Sequence, residues 1–359
     1  ADGSYPDLGA AQSKESPYYN WYRFTRWPEE YDAWWGIKTL PAVQESADSY
    51  RRFIIRDGDS VVRHWLRQGA SGWRLDVADE LPDDFIAEIR SAMDQEKPDS
   101  FLLGEVWEDG SNKIAYSQRR RYLLGSETNG LMNYPFRTAA LDWLRGGDAA
   151  VFRDTMEVIR EHYPRPAFYS ALNILGTHDT PRILTLLGAE DVPDTKDGRA
   201  AYRLSPAQRQ KGQARLRVGE MLLYCFPGSP TVYYGDEAGM EGFEDPFNRR
   251  TYPWGHEDGE LLAWFKQLGA LRKTHPALRR GSIRYVAADG PLLAFARADD
   301  GEEVLCVCNA GDGPVALPLP GKTASILVGS PALAPLEEDK GVQITLSPRS
   351  GAALLLGKK

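Results

Sequence analysis

No stretch of this 359-residue chain approaches the ~20 consecutive apolar residues that a membrane helix needs, so nothing in it reads as spanning a bilayer. An excess of positive charge is lacking too: 43 basic residues stand against 51 acidic ones, a formal −8, and no basic stripe forms. Nucleic acid, whose phosphates are met by clustered Lys and Arg, is therefore not an expected partner. Two local clusters, RRFIIR at 51–56 and QRRRY at 118–122, read as solvated helix faces. Cysteine is scarce. Cys225, Cys306 and Cys308 cannot all pair, and the last two share one face of an apparent strand, where they read as buried thiols rather than a disulfide. A reducing, cytoplasmic setting is the inference. The opening ADGSYPDLGA has neither a basic start nor an apolar core, so it is not a signal peptide; it also lacks an initiator Met, from which we expect sequence upstream. No DxDxDG-type calcium loop, solenoid repeat or low-complexity tract occurs.

Aromatic residues are what the chain has in quantity. Its 10 Trp and 17 Tyr gather in polar segments: SPYYNWYRF, YDAWWG, EVWED, YYGDE and RTYPWG. Packing is one reading. Sugar recognition is the other, because the C–H faces of pyranoses stack on aromatic planes beside carboxylates and amides.

Along the chain, residues 1–47 lack a clean period and read as long loops. Ser49 to Gln68 reads as one helix ending at Gly69. Short apolar runs then alternate with amphipathic stretches. Strands are expected at 71–77, 100–106, 128–134, 171–177 and 229–235, and helices at 82–96, 138–163 (broken at Gly146–Gly147), 207–225 and 260–275. That rhythm predicts an α/β fold with a parallel sheet and right-handed crossovers. After Pro276 the texture changes to short strands separated by Gly, Asp and Pro turns, an antiparallel β-sandwich.

Three of the expected strands end in carboxylates. In GWRLDVADE, alternation places Arg74 and Asp76 on one face, and the Arg is the residue type that keeps a neighbouring carboxylate ionised. A buried structural Arg–Asp pair is the equal alternative at this position. In FLLGEVWED, Glu105 ends the next strand and Trp107 follows it as a platform for sugar; a carboxylic acid among apolar residues suits a general acid. In NILGTHDTPR the strand ends in His178 and Asp179. Barrel enzymes place their chemistry at such strand ends, and two carboxylates flanking a glycosidic bond are what glycoside hydrolysis requires.

These three segments, in this order and spacing, resemble signature regions of the α-amylase superfamily (glycoside hydrolase family 13). SPYYNW, YDAWWGIKTLP, GSPTVYYGDE and EDPFNRRTYPWG extend the resemblance along the chain, closest to the neopullulanase, cyclomaltodextrinase and maltogenic amylase group. The resemblance implies a (β/α)8 TIM barrel, this chain supplying roughly strands four to eight, followed by the C-terminal sandwich. Residues 1–47 would be the remainder of the inserted loop domain, 48–277 the partial catalytic barrel and 278–359 the sandwich. It implies Asp76 as nucleophile, Glu105 as acid/base and Asp179 as transition-state stabiliser. Arg74 would fix Asp76, His178 would bind the sugar, and Trp107 with Tyr234 (or Tyr233) would stack or line the pocket.

Two departures stand out. TLPAVQ at 39–44 replaces the MPKLN-type stretch of that group, and the first family signature, a strand-end Asp with Asn-His, does not occur. The first three barrel strands are therefore expected upstream, on another chain, or replaced by a partner copy, which leaves a homodimer open. No cofactor is required; calcium would enter through that upstream segment. The leading expectation is a retaining hydrolase of α-glucan oligosaccharides such as maltooligosaccharides, cyclodextrins or pullulan, with sucrose- and trehalose-converting chemistry as neighbours. The alternative is a non-catalytic glucan-binding or scaffold protein on a truncated amylase-like fold.

Overall fold

The computed structural model describes residues 7–337 and 340–358. The first six residues of the expected 1–47 segment lie outside them. Two compact units are present: Ala1–Val106 with Gly110–Asn129, and Trp107–Asp109 with Gly130–Lys359.

In the first unit, residues 7–47 are turns, irregular backbone and two single 3-10 turns around a short antiparallel ladder, β1 (Phe24–Arg26) with β2 (Glu30–Tyr31). The helix expected over 49–68 is in fact two. A turn of α-helix, Asp48–Arg51, widens into a π turn, Arg52–Arg56, and a new helix starts at Val61. Asp57 is extended at the break, and Ser60 Oγ donates to the Ile55 carbonyl at 2.9 Å. The D-G-D-S run between them is a turn signature that helical periodicity overrode. The basic clusters differ from expectation as well. Arg51 is buried and pairs with Asp84 (2.8 Å) and Glu88 (3.1 Å). Arg120 is also buried; it pairs with Asp83 at 2.9 Å and donates to the Ala78 and Leu81 carbonyls. Acidic partners from elsewhere in the fold draw these two guanidinium groups inward, whereas Arg52, Arg56, Arg119 and Arg121 are exposed as expected, the last two on or beside a short strand rather than a helix.

β3 (Gly72–Leu75) and β4 (Phe101–Gly104) run parallel, in register from Gly72↔Phe101 to Leu75↔Gly104. Only glycine fits at 72, where a Cβ would meet the Phe101 carbonyl oxygen at 1.9 Å. Helix Asp83–Glu96 connects them, two aspartates at its positive end and Phe85, Ile86, Ile89 and Met93 on its buried face. A small hairpin, β5 (Ile114–Ala115) with β6 (Gln118–Arg119), follows.

The second unit opens with three parallel strands: β7 (Gly130–Asn133), β8 (Leu172–Ile174) and β9 (Ser229–Thr231). The helix expected over 138–163 splits where the two glycines stand, into Tyr134–Leu144 and Ala149–His162, with Gly146 left-handed and Asp148 capping the second half. Helix Pro206–Cys225 starts with a capping box of Ser205 and Gln208, and its C-terminal half is buried. Phe226 lies against Phe136, Phe152, Phe168 and Phe295, most of them edge to face, at the heart of this core.

Among the described residues, eight strands follow: β10 (Ser282–Asp289), β11 (Leu292–Asp299), β12 (Glu302–Asn309), β13 (Val315–Pro320), β14 (Lys322–Val328), β15 (Ala332–Pro335), β16 (Gly341–Leu346) and β17 (Ser350–Lys358). They form antiparallel sheets of order β10-β11-β12-β17-β14 and β13-β16-β15. Ala294, Leu305, Val307 and Leu354 of one sheet share an apolar core with Leu317, Leu319, Ile344 and Leu346 of the other. The three cysteines are buried free thiols; Cys306 and Cys308 bring their sulfurs to 3.8 Å, and burial pushes the Cys306 thiol well up. No helix among the described residues is long and apolar enough to cross a membrane.

Candidate active site

Asp76 and Glu105 each sit one residue beyond the end of a parallel strand, β3 and β4. The ladder continues through Glu105, whose N–H donates to the Leu75 carbonyl at 3.0 Å, while its own carbonyl accepts from Ala78 N at 3.1 Å. Between these bonds the chain turns sharply. Val77 takes a left-handed conformation, φ +42°, that a β-branched residue rarely adopts. In that conformation its N–H donates to Glu105 Oε2 at 2.9 Å. Strain at one residue thus fixes the buried Glu105 carboxyl and presents Asp76 on its open side.

Arg74 joins the two acids. One terminal nitrogen lies 2.6 Å from Asp76 Oδ1 and the other 2.9 Å from Glu105 Oε2. A planar guanidinium has its donors in a fixed fork, so both carboxyls are confined to neighbouring positions around it. The Asp76 side chain is 72% exposed and that of Glu105 only 4%. One carboxylate is therefore open to an incoming electrophile while the other is screened from bulk water, the division of labour that nucleophile and acid/base need.

The second unit holds the third strand-end carboxylate. Past β8, Asp179 N donates to Thr177 Oγ1 at 3.2 Å, and Asp179 Oδ2 lies 3.0 Å from His178 Nε2. Arg249 reaches Asp179 Oδ1 at 3.1 Å and the His178 carbonyl at 3.1 Å, and Asn248 Nδ2 donates to the carbonyls of His178 and Thr180 at 2.7 and 2.9 Å. These two holders stand in EDPFNRR, a segment quoted above only for its resemblance. Trp107, 48% exposed, stacks on Tyr134 at 4.2 Å and 12°, and borders a cleft of about 330 Å3 with Asp179, Arg137 and Asp142. Tyr234 and Tyr233 meet a different partner. Buried Arg182 lies over their rings at 4.6 and 4.2 Å, and the Tyr234 hydroxyl donates to the Arg250 carbonyl at 2.6 Å. Burial raises the Tyr233 hydroxyl to about 12.

Beneath these tyrosines, Arg182 pairs with Asp236 at 3.2 Å. Burial pushes the Asp236 carboxyl up to about 7 despite that partner, and lifts Glu220 well above the carboxylate range. Among the described residues, no group of three or more His, Cys, Asp or Glu is placed to hold a metal ion.

The structure therefore brings Arg74, Asp76 and Glu105 together in one unit, and His178, Asp179 and Trp107 together in the other. Residues 10–259 match the family described as alpha amylase, catalytic domain, and residues 284–352 match the maltogenic amylase, C-terminal domain. An amylopullulanase of Thermoanaerobacter thermohydrosulfuricus is 35% identical over 320 residues, covering 82% of this chain and 20% of that protein. A cyclomaltodextrinase of Geobacillus thermopakistaniensis is 31% identical over 318 residues, covering 85% of this chain and 48% of the relative. The native debranching enzyme of Nostoc punctiforme superposes with a TM-score of 0.79 at 27% identity, over 96% of this chain and 71% of that one. The chain spans about a fifth of the amylopullulanase and about half of the cyclomaltodextrinase.

Proposed function

Because the chain belongs to the α-amylase family, with a TIM-barrel catalytic domain followed by a β-sheet domain, we propose that it is a glycoside hydrolase that cleaves α-glucosidic bonds with retention. The observation that carries the reading is the Arg74 fork holding Asp76 and Glu105 at successive strand ends, one carboxyl exposed and one buried. The Asp76 carboxylate attacks the anomeric carbon as the bond to the leaving oxygen breaks. Glu105 gives that oxygen its proton. A β-glucosyl ester on Asp76 results. Glu105, now a carboxylate, takes a proton from water; the water oxygen bonds to the anomeric carbon, the ester bond breaks, and the α configuration returns. Asp179 is the transition-state stabiliser, His178 binds the sugar, and Trp107 offers a ring to it.

We read the α/β part as strands four to eight of the barrel, the two C-terminal sheets as a β-sandwich, and the segments as 1–47, 48–277 and 278–359. The substrates are α-glucan oligosaccharides, linear or cyclic; the amylopullulanase and cyclomaltodextrinase names of the relatives favour that class. Glu105→Gln tests the acid role. It should cut turnover of maltotriose far more than that of maltosyl fluoride, whose leaving group needs no proton in the first step. Equal losses on both would remove Glu105 from that role, and a wild-type protein that binds both but turns over neither would favour a glucan-binding scaffold.

A further inference from the structure

Two solvent-exposed aromatic residues in the first unit sit on strained backbone and share one carboxylate. Trp35, 78% exposed, has φ +49° and stacks on Trp34 at 4.9 Å and 14°. Its indole N–H is directed at Glu80 Oε1, 3.4 Å away. Tyr116, 69% exposed, is the first central residue of the two-residue turn joining β5 to β6. Tyr116 and Ser117 are both left-handed, at φ +51° and +62°, where such turns favour Asn-Gly. The Tyr116 hydroxyl donates to Glu80 Oε2 at 2.5 Å. Glu80 itself ends the turn Ala78–Glu80, which follows Asp76 and Val77 directly.

Packing does not explain these choices. A core aromatic loses its exposure on folding, whereas these two keep most of theirs. A turn selected for stability alone would place Gly or Asn where Trp35 and Tyr116 stand. Each carboxylate oxygen of Glu80 has lone pairs beyond the one its aromatic partner uses, so it can still accept from a hydroxyl. Apolar planes flanking a carboxylate acceptor are the chemistry that recognises a pyranose: C–H faces on the rings, hydroxyls on the acid.

We propose that Trp35, Glu80 and Tyr116 form a glucan-binding platform that holds a pyranose of the α-glucan chain away from the bond being cleaved. This rests on the α-glucan reading of the preceding subsection and assigns it a subsite. With maltoheptaose, Trp35→Ala should raise KM about tenfold with kcat unchanged, the loss of one stacked ring. KM for maltosyl fluoride, whose two rings lie directly beside the bond being cleaved, should stay the same. Tyr116→Ala should move KM for maltoheptaose in the same direction, about threefold. Unchanged KM for maltoheptaose, or an equal rise for both substrates, would overturn the platform. So would a lowered Tm with unchanged KM, which would mark Trp35 as packing. Should Trp35→Ala fail to fold, Tyr116→Ala on its surface hairpin decides by the same comparison. Should the wild type turn over neither substrate, the hydrolase reading fails by itself. Calorimetric titration with maltoheptaose then decides the platform: affinity lost in the variants supports it, and equal affinity overturns it.

Discussion

Arg74 and Arg297, one in each unit, show two opposite uses of a guanidinium. Arg74 has a half-buried side chain and grips two carboxylates, Asp76 and Glu105, at a strand-end turn. Arg297 is completely buried and makes four hydrogen bonds to backbone carbonyls: Cys225 at 2.6 Å, Gly281 at 2.9 Å, Leu278 at 3.0 Å and Ser282 at 3.2 Å. Burial lowers its proton affinity to about 10, still far above neutral, so it stays charged. Arg297 braces the end of helix Pro206–Cys225 to β10 and β11. Arg74 spends its charge on groups that can react. An arginine satisfied by main chain serves stability; on the proposed mechanism, one satisfied by a pair of acids at a strained strand end serves chemistry.

The largest effect expected from breaking that contrast is on stability. Arg297→Met removes the donors of four carbonyls at once and should cost about 3 kcal/mol or more, read by denaturant unfolding, with kcat of the surviving folded protein unchanged. Arg74→Lys is the mirror experiment. An ammonium cannot fork to both acids, so kcat on maltotriose should drop about 100-fold while Tm barely moves. If instead Arg74→Lys unfolds the protein or Arg297→Met abolishes turnover, the division between the two arginines is wrong.

A third test uses acids that burial, not an arginine fork, controls. Asp236 and Glu127 are each raised to about 7, burial being the main cause for both. Their values in an unfolded chain lie near 4. The folded state therefore holds more protons between those limits. The stability they contribute is fully present below about pH 4 and is lost as pH rises through about 7, a change of about 2 kcal/mol or more in sum. Urea midpoints across that window should fall with pH, and Asp236→Asn with Glu127→Gln should flatten the slope. The smallest effect belongs to Val77. Val77→Gly relieves the left-handed strain and should change stability by less than about 1 kcal/mol, where an ordinary half-buried valine would cost more.

Much of the site was legible because strand ends are local events. Alternation in GWRLDV and the apolar run FLLG put Asp76 and Glu105 at their strand ends without knowledge of the sheet, and Gly146–Gly147 marked a helix break. The antiparallel strands after Pro276 were readable from their turns, since Gly and Asp recur between short apolar runs. What escaped depends on residues that meet only in the folded chain. No local pattern says that Val77 is left-handed, that Asn248 and Arg249 hold the His178–Asp179 loop, or that Arg182 takes the ring faces of Tyr233 and Tyr234. The break at Asp57–Ser60 was different. Its D-G-D-S signal was present, and the surrounding apolar spacing outweighed it.

The most direct test of the central claim is covalent. A 2-deoxy-2-fluoro or 5-fluoro glucosyl fluoride forms the ester on the nucleophile but slows its hydrolysis, so the intermediate accumulates. Peptide mass spectrometry after trapping should find one added fluoroglucosyl group on Asp76, in the segment GWRLDVADE, and none after Asp76→Asn. A label on Glu105, on Asp179 or on any other residue would contradict the assignment.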